Sequence, residues 1–402
     1  MTVPGGVGSV EFCVSKAFFE VNHCDPAWDI LDGSAFRRFF QRSDQEFISK
    51  GRSMKGSIRV GLVGYGMASK RFHAPLITAQ DGLSLVAVAS RDADKVHADW
   101  PSVPVESTPQ ALFARDDIDL VVIPTPNATH YSLVSEALAA GKHVVVDKPF
   151  TVTLDEARKL CDQAAKAKRL LSVFHNRRWD SDFLTVRNLI DSQSLGRIVH
   201  FESHFDRFRP DVAQRWREDP APGAGAWFDL GSHLLDQALV LFGTPEAISL
   251  DLACQREGAK VDDYFHAVLR YRECRVILHG GTLVSAPGAR FTVHGTRASY
   301  VKHGLDPQED MLKRGDRLPS PHWGEDWRHG MMTIGQVREG IQPELHEVPT
   351  LPGDYLAYYA GVRDAIRNGS PLPVTAEAAL EVIRVLEAGI QSAESGQFVS
   401  LA

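Results

Sequence analysis

The stretch IRVGLVGYGMASK, residues 58–70, decides the fold. Its first six residues, 58–63, are an apolar run of strand length that ends on Gly64-Tyr65-Gly66-Met67-Ala68-Ser69. Glycine at 64 permits a tight turn, and glycine at 66 lets the backbone approach a pyrophosphate. A helix starting here offers free amides and the positive end of its dipole. Ser69 stands where a third Gly or Ala is usual and is small enough for close helix–strand packing. A strand before and a helix after turn a weak G-x-G into a specific signal. Gly64, Tyr65, Gly66, Met67 and Ala68 are therefore expected to hold a dinucleotide.

Working outward, apolar strand-like runs recur at 84–90, 119–126, 143–149 and 170–176. Helical segments lie between them, such as 130–140 and 154–168, the second opened by a Thr153-x-x-Glu156 capping box. Short β-branched strands alternating with helices imply βαβ units and a parallel sheet buried on both faces. Beyond about Asp180 strand-like runs follow one another at 197–206, 247–252, 264–271, 275–279 and 290–294 without long helices between, which predicts a large, mostly antiparallel sheet. The polar segment 306–352 reads as loop with short strands. Ala379, Val382, Ile383, Leu386, Ile390 and Ala393 fall at helical spacing and predict an amphipathic last helix that packs back on the first domain.

The expected fold class is α/β: a Rossmann domain over 58–178 and an α+β domain for substrate binding and oligomerisation over 179–402. Residues 1–57 show no sustained period and no signal-peptide core, and are read as a disordered extension or a mistaken start, with Met54 as the natural first residue. A net charge of −7 with both signs interspersed argues against a nucleic-acid or anionic-membrane partner. No apolar run has the length of a membrane span. Five scattered cysteines (Cys13, Cys24, Cys161, Cys254, Cys274) form no CxxC pair, so a cytoplasmic protein with structural thiols is expected. A broad sheet with one free face suggests a homodimer or homotetramer.

The end of the second strand selects the cofactor. An NAD enzyme places Asp or Glu there for the ribose 2′-OH, whereas this chain has Ser90-Arg91. A hydroxyl beside a guanidinium suits a 2′-phosphate, so NADP is expected. Asp92 follows directly, which leaves NAD possible.

Two further pieces carry acid–base chemistry. Asp147-Lys148-Pro149 closes a buried parallel strand, where open α/β sheets bind their ligands, and a lysine there can hydrogen-bond a substrate hydroxyl. The run Gly223-Ala-Gly-Ala-Trp-Phe-Asp229-Leu-Gly-Ser-His233 places Asp229 and His233 at i and i+4, on one face if helical, where a carboxylate orients an imidazole. Removing a proton from an alcohol as hydride leaves needs a base with a pKa near neutral, and histidine fits.

With these pieces in order, the chain from about Ile58 onward resembles the Gfo/Idh/MocA family of dehydrogenases. The motifs that carry the likeness are GLVGYG (61–66), TPNATH (125–130), AGKHVVVDKP (140–149) and the glycine loop with Asp229 and His233. Asp147 stands where the family more often has Glu. Further segments, GYGMASK through FHAPL (64–76), VFHNRRWDSDF (173–183) and HFDRFRP (204–210), resemble the subgroup of NADP-dependent scyllo-inositol dehydrogenases and their uncharacterised bacterial relatives.

The resemblance implies an oxidoreductase acting on a hydroxyl of a cyclitol or sugar. Lys148 would bind the reacting hydroxyl and touch the nicotinamide ribose. His233 would be the base, partnered by Asp229, and Thr125, Pro126, Asn127 and His130 would line the cofactor cleft. Arg178 and Trp179 would contact cofactor or substrate, with His175 beside them, unless that block is an interdomain ion-pair cluster. Two other readings stand beside this one: an NAD-dependent glycosidase using transient oxidation, and a cofactor-sensing protein without chemistry.

Other signals point elsewhere. His200-x-Glu202-x-His204 presents its three side chains on one strand face, but same-face neighbours are almost two strand rises apart, too far for one ion. No metal is expected. Tyr264 offers a hydroxyl to a polyol or simply packs in its strand. Trp323 and Trp327 serve as loop anchor or lid.

Overall fold

The structure is a computed structural model that describes residues 56–213, 218–335 and 342–401. The expectations for residues 1–55, Met54, Cys13 and Cys24 lie outside the described residues. The strands of the first half are β1 (Ile58–Val63), β2 (Leu83–Ala89), β3 (Val105–Glu106), β4 (Leu120–Ile123), β5 (His143–Val146) and β6 (Leu171–Val173). Between them lie α1 (Ala74–Ala79), α2 (Ala93–His97), α3 (Pro109–Phe113), α4 (His130–Ala139) and α5 (Leu154–Ala167). Most of these strands are short buried runs because the sheet is covered on both faces, while β2 and β3 toward its edge are partly half-buried. All pairings are parallel in the order β3-β2-β1-β4-β5-β6, the doubly wound Rossmann order. The order reverses beside β1, so a crevice opens at the carboxyl ends of β1 and β4.

Thr153 opens α5 by accepting the Glu156 amide at 3.3 Å, and left-handed Lys168 closes it. The second half contains α6 (Ser181–Asp191), β7 (Ile198–His204), α7 (Ser232–Phe242), β8 (Ala247–Ala253), β9 (Tyr264–Arg270), β10 (Arg275–Gly281) and β11 (Phe291–Gly295). Then come β12 (Ala298–Lys302), α8 (Gln308–Arg314), β13 (Gly330–Ile334), β14 (Glu344–Val348), α9 (Leu356–Asn368), α10 (Ala376–Ser395) and β15 (Val399–Ser400). The strands make a nine-stranded sheet, β14-β13-β12-β11-β7-β10-β9-β8-β15, antiparallel except where β7 meets β10. Burial alternates along these strands. One face carries Phe201, Phe265, Leu278 and Phe291 into the core, and the other, half-buried, is open among the described residues.

The expectation of no long helices after Asp180 is corrected by α6, α7 and α9. In α6, Phe183, Val186 and Leu189 are buried at helical spacing, although its Thr, Val and Ile favour strands in isolation. The 306–352 segment likewise contains α8 as well as its short strands. The last helix, α10, touches both halves, packing on α5 and on β8. Trp323 is an anchor, its indole donating to Gln308 Oε1 at 3.0 Å, whereas Trp327 is exposed. Cys161, Cys254 and Cys274 are unpaired. Among the described residues no helix is long and apolar enough to cross a membrane.

Candidate active site

The glycine loop has the shape that its residues require. Gly64 has φ +81°, a conformation open to glycine and strained for other residues. A Cβ at Gly66 would meet nothing within 4 Å, so its backbone is bare. Ser69 is buried and donates to the Gly64 carbonyl at 2.8 Å, which ties the loop to the helix that follows it. Tyr65 is buried and donates to Asp99 at 2.9 Å, while Met67 stands exposed on the loop. A cleft of about 610 Å³ opens beside the loop, and Gly64, Tyr65, Ser90, Arg91, Thr125 and Pro126 line it. These residues fit a dinucleotide.

Ser90 Oγ and the Asp92 backbone hydrogen-bond each other at the end of β2, and Arg91 is exposed at the cleft. Asp92 Oδ1 accepts the Lys95 amide at 3.0 Å as the cap of α2, which removes that oxygen from competition for a ribose. Lys95 lines the same cleft, so two cations face it. Sequence reading missed Lys95, although its place four residues after Arg91 on a starting helix was a usable signal.

Two residues expected in the cofactor cleft are buried struts. His130 is fully buried, with its ring nitrogens 2.9 Å from the carbonyls of Pro149 and Thr125. Burial dominates and pushes its pKa below the imidazole range. Asn127 Nδ2 donates to the Gly223 carbonyl at 2.8 Å and so joins the Rossmann half to the glycine loop of the second half.

Lys148 leaves β5 toward that second loop. Its Nζ lies 2.6 Å from the Asp229 carbonyl and 2.9 Å from Asp229 Oδ1. Below it, Asp147 sits 3.6 Å from the buried His73 imidazole. Burial alone would raise the Asp147 carboxyl, but His73 and then the Lys148 cation hold it below the usual range. Asp229 belongs to a π-helical turn, Trp227–Gly231, that runs into α7.

The expectation that the Asp229 carboxylate orients His233 is corrected. Asp229 pairs with Lys148, and His233 Nδ1 is buried without a hydrogen-bond partner. Burial first, and then the Lys148 and Arg177 cations, push the His233 pKa well below the imidazole range. Lys148, Asp229 and His233 therefore assemble as a cation, a carboxylate and a neutral imidazole.

The 175–179 block combines burial with an ion pair. His175 is buried with neither ring nitrogen hydrogen-bonded, and burial pushes its pKa down to about 4. Arg178 is spent on a two-pronged pair with Asp236 of α7 at 2.8 and 2.6 Å, so its guanidinium acts as an interdomain strut. Trp179 packs edge-on against Tyr358 at 5.7 Å. Tyr264 does not reach the cleft. Its ring lies against His279 on the open face of the large sheet, and its neighbour Phe265 faces inward against Trp227.

Three more residues escaped sequence reading. Asp262 accepts the Trp227 amide at 2.7 Å and so fixes the start of the turn bearing Asp229. Gly225, at φ +92°, has no alternative there, because a Cβ would fall 2.0 Å from Asp262 Oδ1. Arg207 lines a hollow with Asp229, its guanidinium 4.7 Å from the centre of the Phe205 ring, and burial brings its pKa down to about 10. Asp236, the partner of Arg178, had a signal in its spacing of three residues after His233.

Comparison with known proteins agrees with this geometry. Residues 58–175 match the NAD-binding Rossmann fold of the Gfo/Idh/MocA oxidoreductase family, and residues 187–401 match that family's C-terminal alpha/beta domain. The chain is 55% identical over 349 residues to the uncharacterized oxidoreductase YdgJ of Escherichia coli, covering 87% of this chain and 100% of the relative. It is 38% identical over 352 residues to scyllo-inositol 2-dehydrogenase (NADP(+)) IolW of Bacillus subtilis, covering 88% and 98%. A solved structure from Yersinia pestis, described as an oxidoreductase, superposes with a TM-score of 0.83 at 55% identity, covering 88% of this chain and 99% of the other. A glycine loop at a Rossmann crevice, a lysine–aspartate bridge across it and two matching family domains lead to one conclusion: this chain belongs to the Gfo/Idh/MocA family and is an oxidoreductase with an NAD(P)-binding fold.

Proposed function

We propose that this protein is an NADP-dependent dehydrogenase that reversibly oxidises a secondary hydroxyl of a cyclitol or sugar resembling scyllo-inositol. The carrying observation is the bridge from Lys148 Nζ to Asp229, with the neutral imidazole of His233 nearby on the next turn. NADP, when bound, supplies the hydride acceptor. Lys148, steadied by Asp229, donates a hydrogen bond to the reacting hydroxyl and favours its alkoxide character. His233 takes the hydroxyl proton at Nε2, since Nδ1 is buried inside the fold. Burial and neighbouring cations keep the imidazole unprotonated, so its acceptor nitrogen is free at neutral pH. The low pKa means that the alcohol proton must be loosened by Lys148 before it is taken.

Arg91 and Lys95, with Asp92 Oδ1 engaged as a helix cap, favour a 2′-phosphate and hence NADP. The cyclitol reading is supported by the 38% identity to a relative named for scyllo-inositol and NADP. The test is an absorbance assay of the reduced nicotinamide, with NADP or NAD offered against a panel of inositols, aldoses and their keto forms. Turnover with NADP and an inositol is the expected result. Tight NADP binding with no turnover on any polyol would overturn the proposal and favour the glycosidase or sensing alternatives.

A further inference from the structure

The open face of the large sheet carries a cluster that the dehydrogenase chemistry does not use. Strands β7 and β10 run side by side in parallel, and their register sets His204 directly opposite His279. Both side chains stand on the open face, with ring centroids 5.1 Å apart. Asp206, two residues after His204, reaches between them. Its Oδ2 is 3.6 Å from His204 Nδ1, and its Oδ1 is 3.4 Å from His279 Nε2. The three potential ligand atoms all lie within 4.8 Å of one another.

Those separations have a chemical meaning. Four ligands around zinc at about 2.0–2.1 Å in a tetrahedron lie about 3.3–3.4 Å from each other. The two imidazoles face opposite oxygens of the Asp206 carboxylate at 3.6 and 3.4 Å, close to such edges, and one donor atom from each residue need only draw together from within 4.8 Å. The ring atoms are also aimed. His204 turns Nδ1 toward Asp206 and gives Nε2 to Glu202 Oε2 at 3.2 Å, and the other Glu202 oxygen is 2.7 Å from His200 Nε2. A carboxylate holding the far nitrogen of an imidazole is how metal-binding histidines are oriented and made more basic. The Gly281 amide donates to Asp206 Oδ1 at 3.2 Å, and the Asp206 side chain is only 6% exposed. Tyr264 packs edge-on against the His279 ring at 5.2 Å and limits its rotation.

The spacing argument against an ion on this strand applies to His200, Glu202 and His204 taken along it. Neighbouring strands are closer, at about 4.8 Å, and the added pairing with β10 brings in His279. We propose that His204, Asp206 and His279 form a site for one divalent transition-metal ion of the zinc class, on the sheet face turned away from the catalytic cleft. Glu202 and His200 serve as the outer carboxylate and imidazole of that site. Three protein ligands leave one position to water. The ion ties β7 to β10 on the face that no helix covers among the described residues.

The competing account is that a proton alone joins these groups, with His204 as an imidazolium between Glu202 and Asp206. Metal titration separates the two. The tag-free full chain is stripped with EDTA, dialysed, and titrated with cobalt(II) while the visible d–d absorption is followed, then challenged with zinc(II). The expected result is one cobalt per chain in a four- or five-coordinate spectrum, displaced by zinc, and a melting temperature that rises with zinc. His279→Ala and Asp206→Asn should each weaken uptake at least about ten-fold, and Glu202→Gln, with all three ligands kept, by about ten- to a hundred-fold. Melting curves without metal confirm that each variant folds; if one does not, the native titration decides. No stoichiometric uptake by the native chain, or uptake unchanged in folded His279→Ala, overturns the site.

Discussion

The two sheets place their chemistry in different ways. The parallel sheet is covered on both faces, so strands such as Leu120–Ile123 are buried along their whole length and have no side chain to spare for function. Its polar groups are therefore displaced to the strand ends: the glycine loop after β1, Ser90-Arg91 after β2 and Lys148 after β5. Among the described residues the large sheet has helices on one face only, and its strands alternate buried and half-buried residues. Its open face is free to carry histidines and acids along the strands themselves. A fully enclosed sheet works at its rim, and a half-enclosed sheet can also work across its surface.

Substitutions at the rim, at the seam and on the open face test that contrast. The largest effect is expected for Lys148→Ala or His233→Ala at the rim, each lowering turnover by about 10²–10⁴-fold with NADP affinity nearly unchanged. Loss of NADP binding in a folded variant would remove the roles assigned to them. Because the His233 pKa is lowered, its neutral form persists as pH falls through the usual imidazole range. The native pH profile of kcat/KM should therefore stay level through about pH 6.5 and decline only in more acid solution.

At the seam, Gly225→Ala combines a positive φ with a collision against Asp262. It should cost roughly 2–4 kcal/mol in thermal or urea unfolding. A neutral result would mean that the turn bearing Asp229 has another way to start. Arg91→Ala should weaken NADP by about ten- to a hundred-fold and NAD far less, the worth of a charge-assisted bond to phosphate. Equal losses for both cofactors would leave selectivity to Lys95. The smallest effect belongs to the open face, where Thr292→Ala, opposite Glu202, should change stability by less than about 0.5 kcal/mol. A loss well above that would show the face to be closed over by another surface.

What was legible in the sequence follows the same division. The strands of the parallel sheet announced themselves because burial on both faces leaves continuous β-branched runs, and the glycine loop lay in unbroken local order between β1 and its helix. Lys148 and Asp229, which the structure brings together, were each readable as candidates, since each sits in a motif of a few residues. The pairing of Lys148 with Asp229 was not, because it spans 81 positions and depends on how the two halves meet.

The helices α6 and α9 were missed for a local reason. Tyr358, Tyr359 and Gly361 are poor helix formers, and α9 holds its shape by burying Tyr358, Tyr359 and Val362 against the fold. His130 and Arg178 show the opposite failing. Their motif suggested the cofactor, yet burial and the Asp236 carboxylate turn them into internal struts. The meeting of His204 with His279 needed the strand order of the large sheet, which no spacing along one strand reveals.

Helix α10 has a consequence for anyone who would treat this protein as interchangeable parts. On successive residues it accepts the Trp227 indole N–H at the Leu386 carbonyl, at 3.1 Å, and the Leu154 amide at Glu387 Oε1, at 2.6 Å. The first bond secures the turn that presents Asp229, and the second caps a helix of the Rossmann half. A chimaera that joins the nucleotide-binding half of one relative to the substrate half of another therefore inherits two half-matched sockets for a single helix. Grafts should exchange α10 and the start of α5 together, because cofactor and substrate halves are gauged from the same rod.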